Sequence, residues 1–440
     1  MFHSRNQSIR GIFLCIAILF LSLVPSRMAL SSNGWTPPLP VSVTDGSSYN
    51  PHMVVDSRGT THMVWYDWVD LTAHPPYILY ANKPAEGNWS SYSYIAGPQI
   101  VMESAIALGP DDTIHIVWAS ADYKEPDIDA PIKYISRSIN GTWSNIQVIS
   151  GSMKGNDKPD IAVSPNGTVH VSWSYTNVFD KDNRGIYHAM KFPGGNWSVP
   201  IPVYKNWPVD KSLIETDINN TAHLILNGSV NEEEVVMVAQ KPVDSDWSST
   251  AEFSVLNKPR LESVEQLARD SQGKLHLVWG EKDDLENKCR LYYSSKPLGQ
   301  GWTSPSTVVA GDCNDVYVYY PSVAINQAGD LAAAWTSRLY DDENNTYSAW
   351  YTFTGEGIGW SSPIMIDDNL VCEGASSIAV DSEGGLHVVW DSGPTYVTDE
   401  NKPVGDGSGE IYYSFLEDLP ETVTRLIITP EGGGTLQSPS

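Results

Sequence analysis

Six histidines in this chain of 440 residues recur inside one short phrase, and the first question is what chemistry they could do. His62, His115, His170, His276 and His387 each stand three residues ahead of a tryptophan, in phrases such as "DSRGTTHMVW" and "DSEGGLHVVW", and His223 stands three ahead of Leu226. Imidazole ligates metals and works as a general base near neutral pH, so six copies would suit a metal centre or a relay. Their spacing argues against both. With Ala332/Trp335 counted as the copy that has lost its histidine, the phrase ends are 53, 55, 53, 53, 56 and 55 residues apart. A unit repeated at that period sets equivalent residues about 10 Å apart on neighbouring packed sheets, whereas ligands of one ion sit about 2 Å from it. The repeated histidine therefore reads as frame. The tryptophan three residues on points to the other face of the same strand, so each phrase serves two neighbours.

The elements that position these phrases follow from the rest of each unit. Residues 263–310 read as four strands: "SVEQLARD", "KLHLVWG" after the tight turn "SQG", "RLYYSSK", and "WTSPSTVVA" after "PLGQG". β-branched and aromatic residues fill the runs, Gly, Asn, Asp or Pro breaks them, and no window has a helical period. The expected fold is all-β, a seven-bladed β-propeller of four-stranded blades. Each fourth strand is announced by a tryptophan after a turn: Trp35, Trp89, Trp143, Trp197, Trp247, Trp302 and Trp360. The first precedes its unit and the last unit has none after it. The strand after Trp35 should thus complete the last blade and remove the open edge of the array. The organisation expected is a signal peptide at 1–31, the propeller at 32–416, and a tail or linker at 417–440.

Arg5 and Arg10 ahead of the apolar run "GIFLCIAILFLSLV" read as a secretory signal cleaved near Ala29 to Ser31, or as an uncleaved anchor, and either way the body is exported. No later segment approaches the roughly 20 apolar residues of a spanning helix. Acidic residues outnumber basic ones by 53 to 27, which disfavours nucleic acid or an anionic membrane as partner. Of the cysteines outside the signal, Cys289 and Cys313 flank Gly301 evenly in a hairpin and are the favoured disulfide, with Cys313 to Cys372 as the competitor. Sequons stand at Asn88, Asn140, Asn166, Asn196, Asn219, Asn227 and Asn344.

The turn "SRSINGTW" at 136–143 resembles the Asp-box, or BNR, repeat of the sialidase superfamily, Ser-x-Asp-x-Gly-x-Thr-Trp, with Ser136, Thr142 and Trp143 in place and Ser138 where the aspartate would stand. Other turns keep mainly the tryptophan, as in "GGNWS" and "GQGWTS". A close relationship would imply a six-bladed propeller with an arginine triad, a Tyr/Glu nucleophile pair and an acid/base aspartate. This chain has seven units and no early Arg-Ile-Pro segment. Arg184, Arg260, Arg290 and Arg338 all fall in or beside loops of one face.

The turns between strands one and two and between three and four are short; the loops between strands two and three and between blades are long, and strand alternation gathers them on one end. They are acidic and aromatic, as in "YDWVDLTAHPPY" and "RLYDDENN". Rings beside carboxylates suit a sugar face with its hydroxyls, and suit a protein surface equally. The residues expected nearest the axis are Asp67, Trp68, Trp207, Arg260, Glu281, Tyr319, Arg338 and Asp391. No cofactor motif is present; calcium would need converging carboxylates, and no loop has the EF-hand order. The expectation is a monomeric, exported propeller that binds an extracellular glycan or surface protein through its long-loop face without catalysis. The alternative, from the resemblance, is a sialidase-like glycoside hydrolase.

Overall fold

The structure, a computed structural model, describes residues 34–44, 46–68, 76–97, 100–121, 130–177, 179–205, 211–230, 233–252, 266–283, 287–313, 318–340, 345–354, 359–366, 376–392 and 409–417. Its strands form seven four-stranded antiparallel sheets, and the one helical element among the described residues is a 3-10 turn at Lys181–Asn183. The innermost strands, from Ser47–Val55 through Ile100–Leu108 and onward to Ser376–Val380, adjoin one another in a closed ring. The fold is a seven-bladed β-propeller.

Ring closure follows the course read from Trp35. Leu39–Pro40 is the outer strand of the last blade, with Leu39 opposite Tyr413 and Pro40 opposite Tyr412. In the fifth blade the strands are Leu267–Arg269, Leu275–Asp283, Lys288–Lys296 and Ser306–Asp312. The outer strand thus begins at Ser306 rather than at Trp302, because Trp302 turns inward to pack on the seam with the fourth blade. A disulfide joins Cys289 to Cys313 with their Cα atoms 4.8 Å apart. Cys289 itself lies opposite Gly311, and the bond reaches to the residue just beyond the outer strand. Cys372 and the tail from 418 lie outside the described residues.

The seams between blades are built from the repeated aromatics. Trp65, Trp118, Trp173, Trp279, Trp335 and Trp390 are at most 1% exposed, and each faces the preceding blade: Trp118 shares a core with Val64, Ile78 and Tyr80. The turn tryptophans reach back as well. Trp143 lies edge-on to Tyr80, Trp197 to Tyr134, Trp247 to His188, Trp360 to Tyr293, Trp89 to Tyr413 and Trp35 to Tyr351, with centroids 4.9–5.5 Å apart. This is the preferred geometry for aromatic quadrupoles and exceeds area burial by about 0.5–1.5 kcal/mol per pair. Val238 takes the place of the ring under Trp302.

The phrase histidines face the next blade and serve as clamps. In four blades an aspartate six residues ahead folds the turn: Asp56 Oδ1 accepts the N–H groups of Arg58 and Thr60, and Asp217, Asp270 and Asp381 repeat the pattern. The other carboxylate oxygen bonds Nε2 of His62, His223, His276 or His387 at 3.0–3.3 Å. Nδ1 bonds the hydroxyl of Tyr80, Tyr134, Tyr293 or Tyr413 in the blades of His62, His115, His276 and His387. Where Ala332 replaces the histidine, Asn326 replaces the aspartate, so the pair is lost together. Burial pushes these imidazoles down, to about 4 for His115, His170 and His276. Burial pushes the Asp56 carboxyl up, but its hydrogen bonds from Arg58, Thr60 and His62 outweigh that and hold it below the usual range.

Two outcomes follow from the seams. Trp35→Ala should cost about 3–5 kcal/mol in denaturant unfolding, since it empties the closing seam and frees the strand behind it. Acid should also weaken the fold. Above the unfolded histidine value of 6.5 the clamps are neutral in both states; below it the unfolded chain takes up protons that the native clamps refuse, until the native imidazoles themselves titrate near 4. Stability measured from pH 7 to 4 should therefore fall steadily, and a variant carrying Asp270→Asn with His276→Ala, the pair blade six uses, should show a shallower slope by about one proton.

Candidate functional site

The ring of inner strands converges on the axis, and the residue twelve positions ahead of each phrase histidine is where the copies stop resembling one another. It is Asn50, Glu103, Lys158, Lys211 and Tyr320 in the first, second, third, fourth and sixth blades, all half-buried. Local backbone chemistry aims it. The inner strand breaks register between Tyr49 and His52, Val101 and Ser104, Asp157 and Asp160, and Tyr319 and Ser322. At three of these bulges the residue has positive φ, Asn50 at 55°, Lys158 at 49° and Tyr320 at 48°, and proline follows it. A left-handed tyrosine is unfavourable, and strain of this kind collects at sites that need a particular side-chain direction.

Antiparallel strand order puts these bulges on the end that carries the strand two to three loops and the blade connections. One arc of the mouth is phenolic and acidic. Tyr49 stacks on Tyr66 with centroids 5.6 Å apart, Tyr319 lies 6.1 Å from Tyr320, and Asp391 Oδ2 accepts the N–H of Asn50 at 2.9 Å across the last seam. Burial, then the charges of Asp391 and Glu103, push the Tyr66 phenol above the usual tyrosine range, so it keeps its proton. The facing arc holds Lys211, whose charge reaches His52 and Asp160. Burial, then Lys211, brings His52 down to about 3; burial lifts Asp160 to about 7 against the N–H groups of Ile214 at 2.8 Å and Ile161 at 2.9 Å and the charge of Lys211.

Of the residues expected near the axis, Tyr319 and Asp391 belong to this arc. Asp67 is wholly enclosed; Oδ2 accepts the hydroxyls of Thr44 and Ser48, and Oδ1 is buried with no hydrogen-bond partner among the described residues. Burial outweighs those hydrogen bonds and raises its carboxyl. Glu281 is half-buried opposite Arg290 near the end of the strand Leu275–Asp283. Trp68 ends the strand Thr61–Trp68 and Arg338 lies in Leu331–Tyr340 opposite Tyr347, their side chains outside the described residues, as are Trp207 and Arg260 altogether. Among the other arginines of that face, Arg184 gives Nε to the carbonyl of Asn177 at 2.9 Å. Tyr49, Asn50, Tyr66, Glu103, Lys158, Lys211 and Tyr320 escaped the sequence reading. Their signal was the recurrent "YNPH", "DKPD" and "YYPS" at a fixed offset before the phrase.

The arrangement offers ring faces, a protonated phenol and carboxylate acceptors around one opening, which is chemistry for holding a polyol. Among the described residues no three His, Cys, Asp or Glu side chains gather as a metal site requires.

No protein-family model matches this sequence, and no curated protein does. Solved structures similar to the chain include an α-L-arabinofuranosidase from Fusarium graminearum in complex with an iminosugar inhibitor, 12% identical with a TM-score of 0.45 over 84% of this chain and 93% of that one. An ulvan lyase of polysaccharide lyase family PL25 is 11% identical with a TM-score of 0.48 over 85% and 97%, and another polysaccharide lyase is 9% identical with a TM-score of 0.49 over 90% and 94%. At such identities the similarity goes no further than overall architecture.

Proposed function

We propose that this chain is an exported propeller that binds a glycan at the axial mouth of its long-loop end without turning it over. The observation that carries the reading is the Tyr49–Tyr66 stack, with the charges of Glu103 and Asp391 reaching Tyr66 and with Glu103 and Tyr320 at a repeat position whose chemistry differs from blade to blade. Stacked phenols cover an apolar sugar face, and the carboxylates accept its hydroxyls. Binding is favoured over sialidase-like hydrolysis because a tyrosine nucleophile needs its proton withdrawn, and here burial and two carboxylates hold it in place. Degenerate Asp-box ancestry fits the turn at 138–142, where the Ser138 hydroxyl accepts the N–H of Thr142 at 3.2 Å, a role open to the missing aspartate. Export agrees with the apolar N-terminal run and with the Cys289–Cys313 bond.

A glycan array probed with the full chain should give saturable ligands, and Tyr49→Ala or Tyr320→Ala in folded protein should lose about 2 kcal/mol, roughly thirtyfold, for any of them. Fluorogenic glycosides should show no turnover. Hydrolysis abolished by Glu103→Gln would replace this reading with a glycosidase.

A further inference from the structure

The short-turn end carries a second candidate site, independent of the mouth. Arg137 closes the strand Ile132–Arg137, and its guanidinium lies 5.4 Å from the ring centroid of Tyr80 and 5.7 Å from that of Trp143. That platform is rigid: the two rings meet edge-on at 5.0 Å, Tyr80 is 3% exposed, and its hydroxyl is bonded to His62. Among the described residues nothing accepts a hydrogen bond from the Arg137 guanidinium and no carboxylate pairs with it, in a chain where acids outnumber bases by 53 to 27.

The equivalent cations show that this is a departure from the repeat. Lys83 also lies over a ring, that of Tyr413, but gives its ammonium to the carbonyls of Pro84 and Ala85, and Lys241 gives its own to the carbonyl of Ser245. Lys191 lies over Tyr134 as a point charge in the next seam. Only the second blade places a planar fork there, and the fork opens on a groove between the first two blades lined by Arg58, Asn82, Ala85, Glu86, Ile139 and Asn140. Arg58 is already engaged by Asp56 at 2.9 Å, and Glu86 stands exposed at the rim.

A guanidinium held over two aromatic rings, its donors unspent beside amide groups and an exposed isoleucine, fits a planar or tetrahedral oxyanion on a ligand with hydroxyls and one apolar face. We propose that this groove binds an acidic saccharide through its carboxylate or sulfate, seated on Arg137. Asn82 and Asn140 line the path its hydroxyls would follow, and Ile139 the apolar face.

The test uses the full chain made in a host that leaves Asn140 unmodified, titrated at low salt with glucuronate, glucose 6-sulfate and glucose by calorimetry. At least one anion should saturate while glucose does not, and the stronger of the two identifies the oxyanion. Arg137→Gln should weaken that binding by about tenfold and Arg137→Lys by less, since lysine keeps the charge but loses the fork. Tyr49→Ala, which removes the mouth stack, should leave it unchanged, so failure here and failure of the mouth are distinguishable. If Arg137→Gln does not fold, the unaltered protein decides: phenylglyoxal should label Arg137, and the anion should protect it. Absence of saturation by either anion, an unchanged affinity in folded Arg137→Gln, or labelling that the anion does not slow would overturn the proposal.

Discussion

The seam between adjacent blades is the constraint on which the rest of this protein rests. A four-stranded sheet of this size cannot bury both its faces alone, so each blade must lend one face to each neighbour. The phrase histidine and tryptophan divide that work, the tryptophan facing back and the histidine, bonded to Asp and Tyr, facing forward. The edge-on contact of Trp35 with Tyr351 is the same contact made across every other aromatic seam, formed here by the first described residues of the chain instead of by a fourth strand in sequence. Closure is therefore one more copy of a repeated interaction, which is why a short outer strand of two residues can hold it.

A frame fixed by seams leaves few positions free to vary, and their location is informative. In the core the copies change in step with their partners, as when Val238 fills the place of a ring or Asn326 and Ala332 replace the Asp and His of a clamp together. At the axial bulge they do not: asparagine, glutamate, two lysines and a tyrosine occupy one structural position. No packing rule demands that set. The same reasoning sets Arg137 apart, the one planar fork among counterparts of which Lys83 and Lys241 are spent on turn carbonyls and Lys191 is a point charge over Tyr134.

The blade count, the closing strand and the cysteine pair were legible because each depends on spacing alone. A 53–56-residue period, a tryptophan out of register with its unit and two cysteines equidistant from Gly301 in a hairpin are visible without coordinates. The mouth was not, because a bulge breaks the period-two alternation by which strand faces are read. Tyr66 follows a buried tryptophan and looks like the next outward residue; only the bulge at Asn50 and Pro51 brings Tyr49 over it. Asp67 shows the converse. Its position at a strand end suggests the axis, and in the structure it is enclosed by Thr44 and Ser48 from the segment that enters the blade, a contact set by chain path and not by local pattern.

Some inner strands carry a buried polar side chain for a reason that precedes any ligand. Inner strands have one edge without a partner strand, and their N–H groups must be satisfied across the seam. Asp160 does this for Ile214 and Ser377 does it for Met53, from the same position in two blades. That position is His52 in the first blade and Ser322 in the sixth but Ala105 in the second and Leu213 in the fourth, so only some seams use a side chain in this way. A carboxylate used in this way is costly to bury charged, which is why Asp160 rises to about 7 where serine would carry no charge at all. Lys211, one residue before the inner strand that Asp160 caps, supplies the opposing charge, and it is also the axial residue of its blade. The structural need of the edge and the chemistry of the mouth thus meet in one lysine, whose charge, with the N–H groups of Ile214 and Ile161, opposes the burial that raises the Asp160 carboxyl.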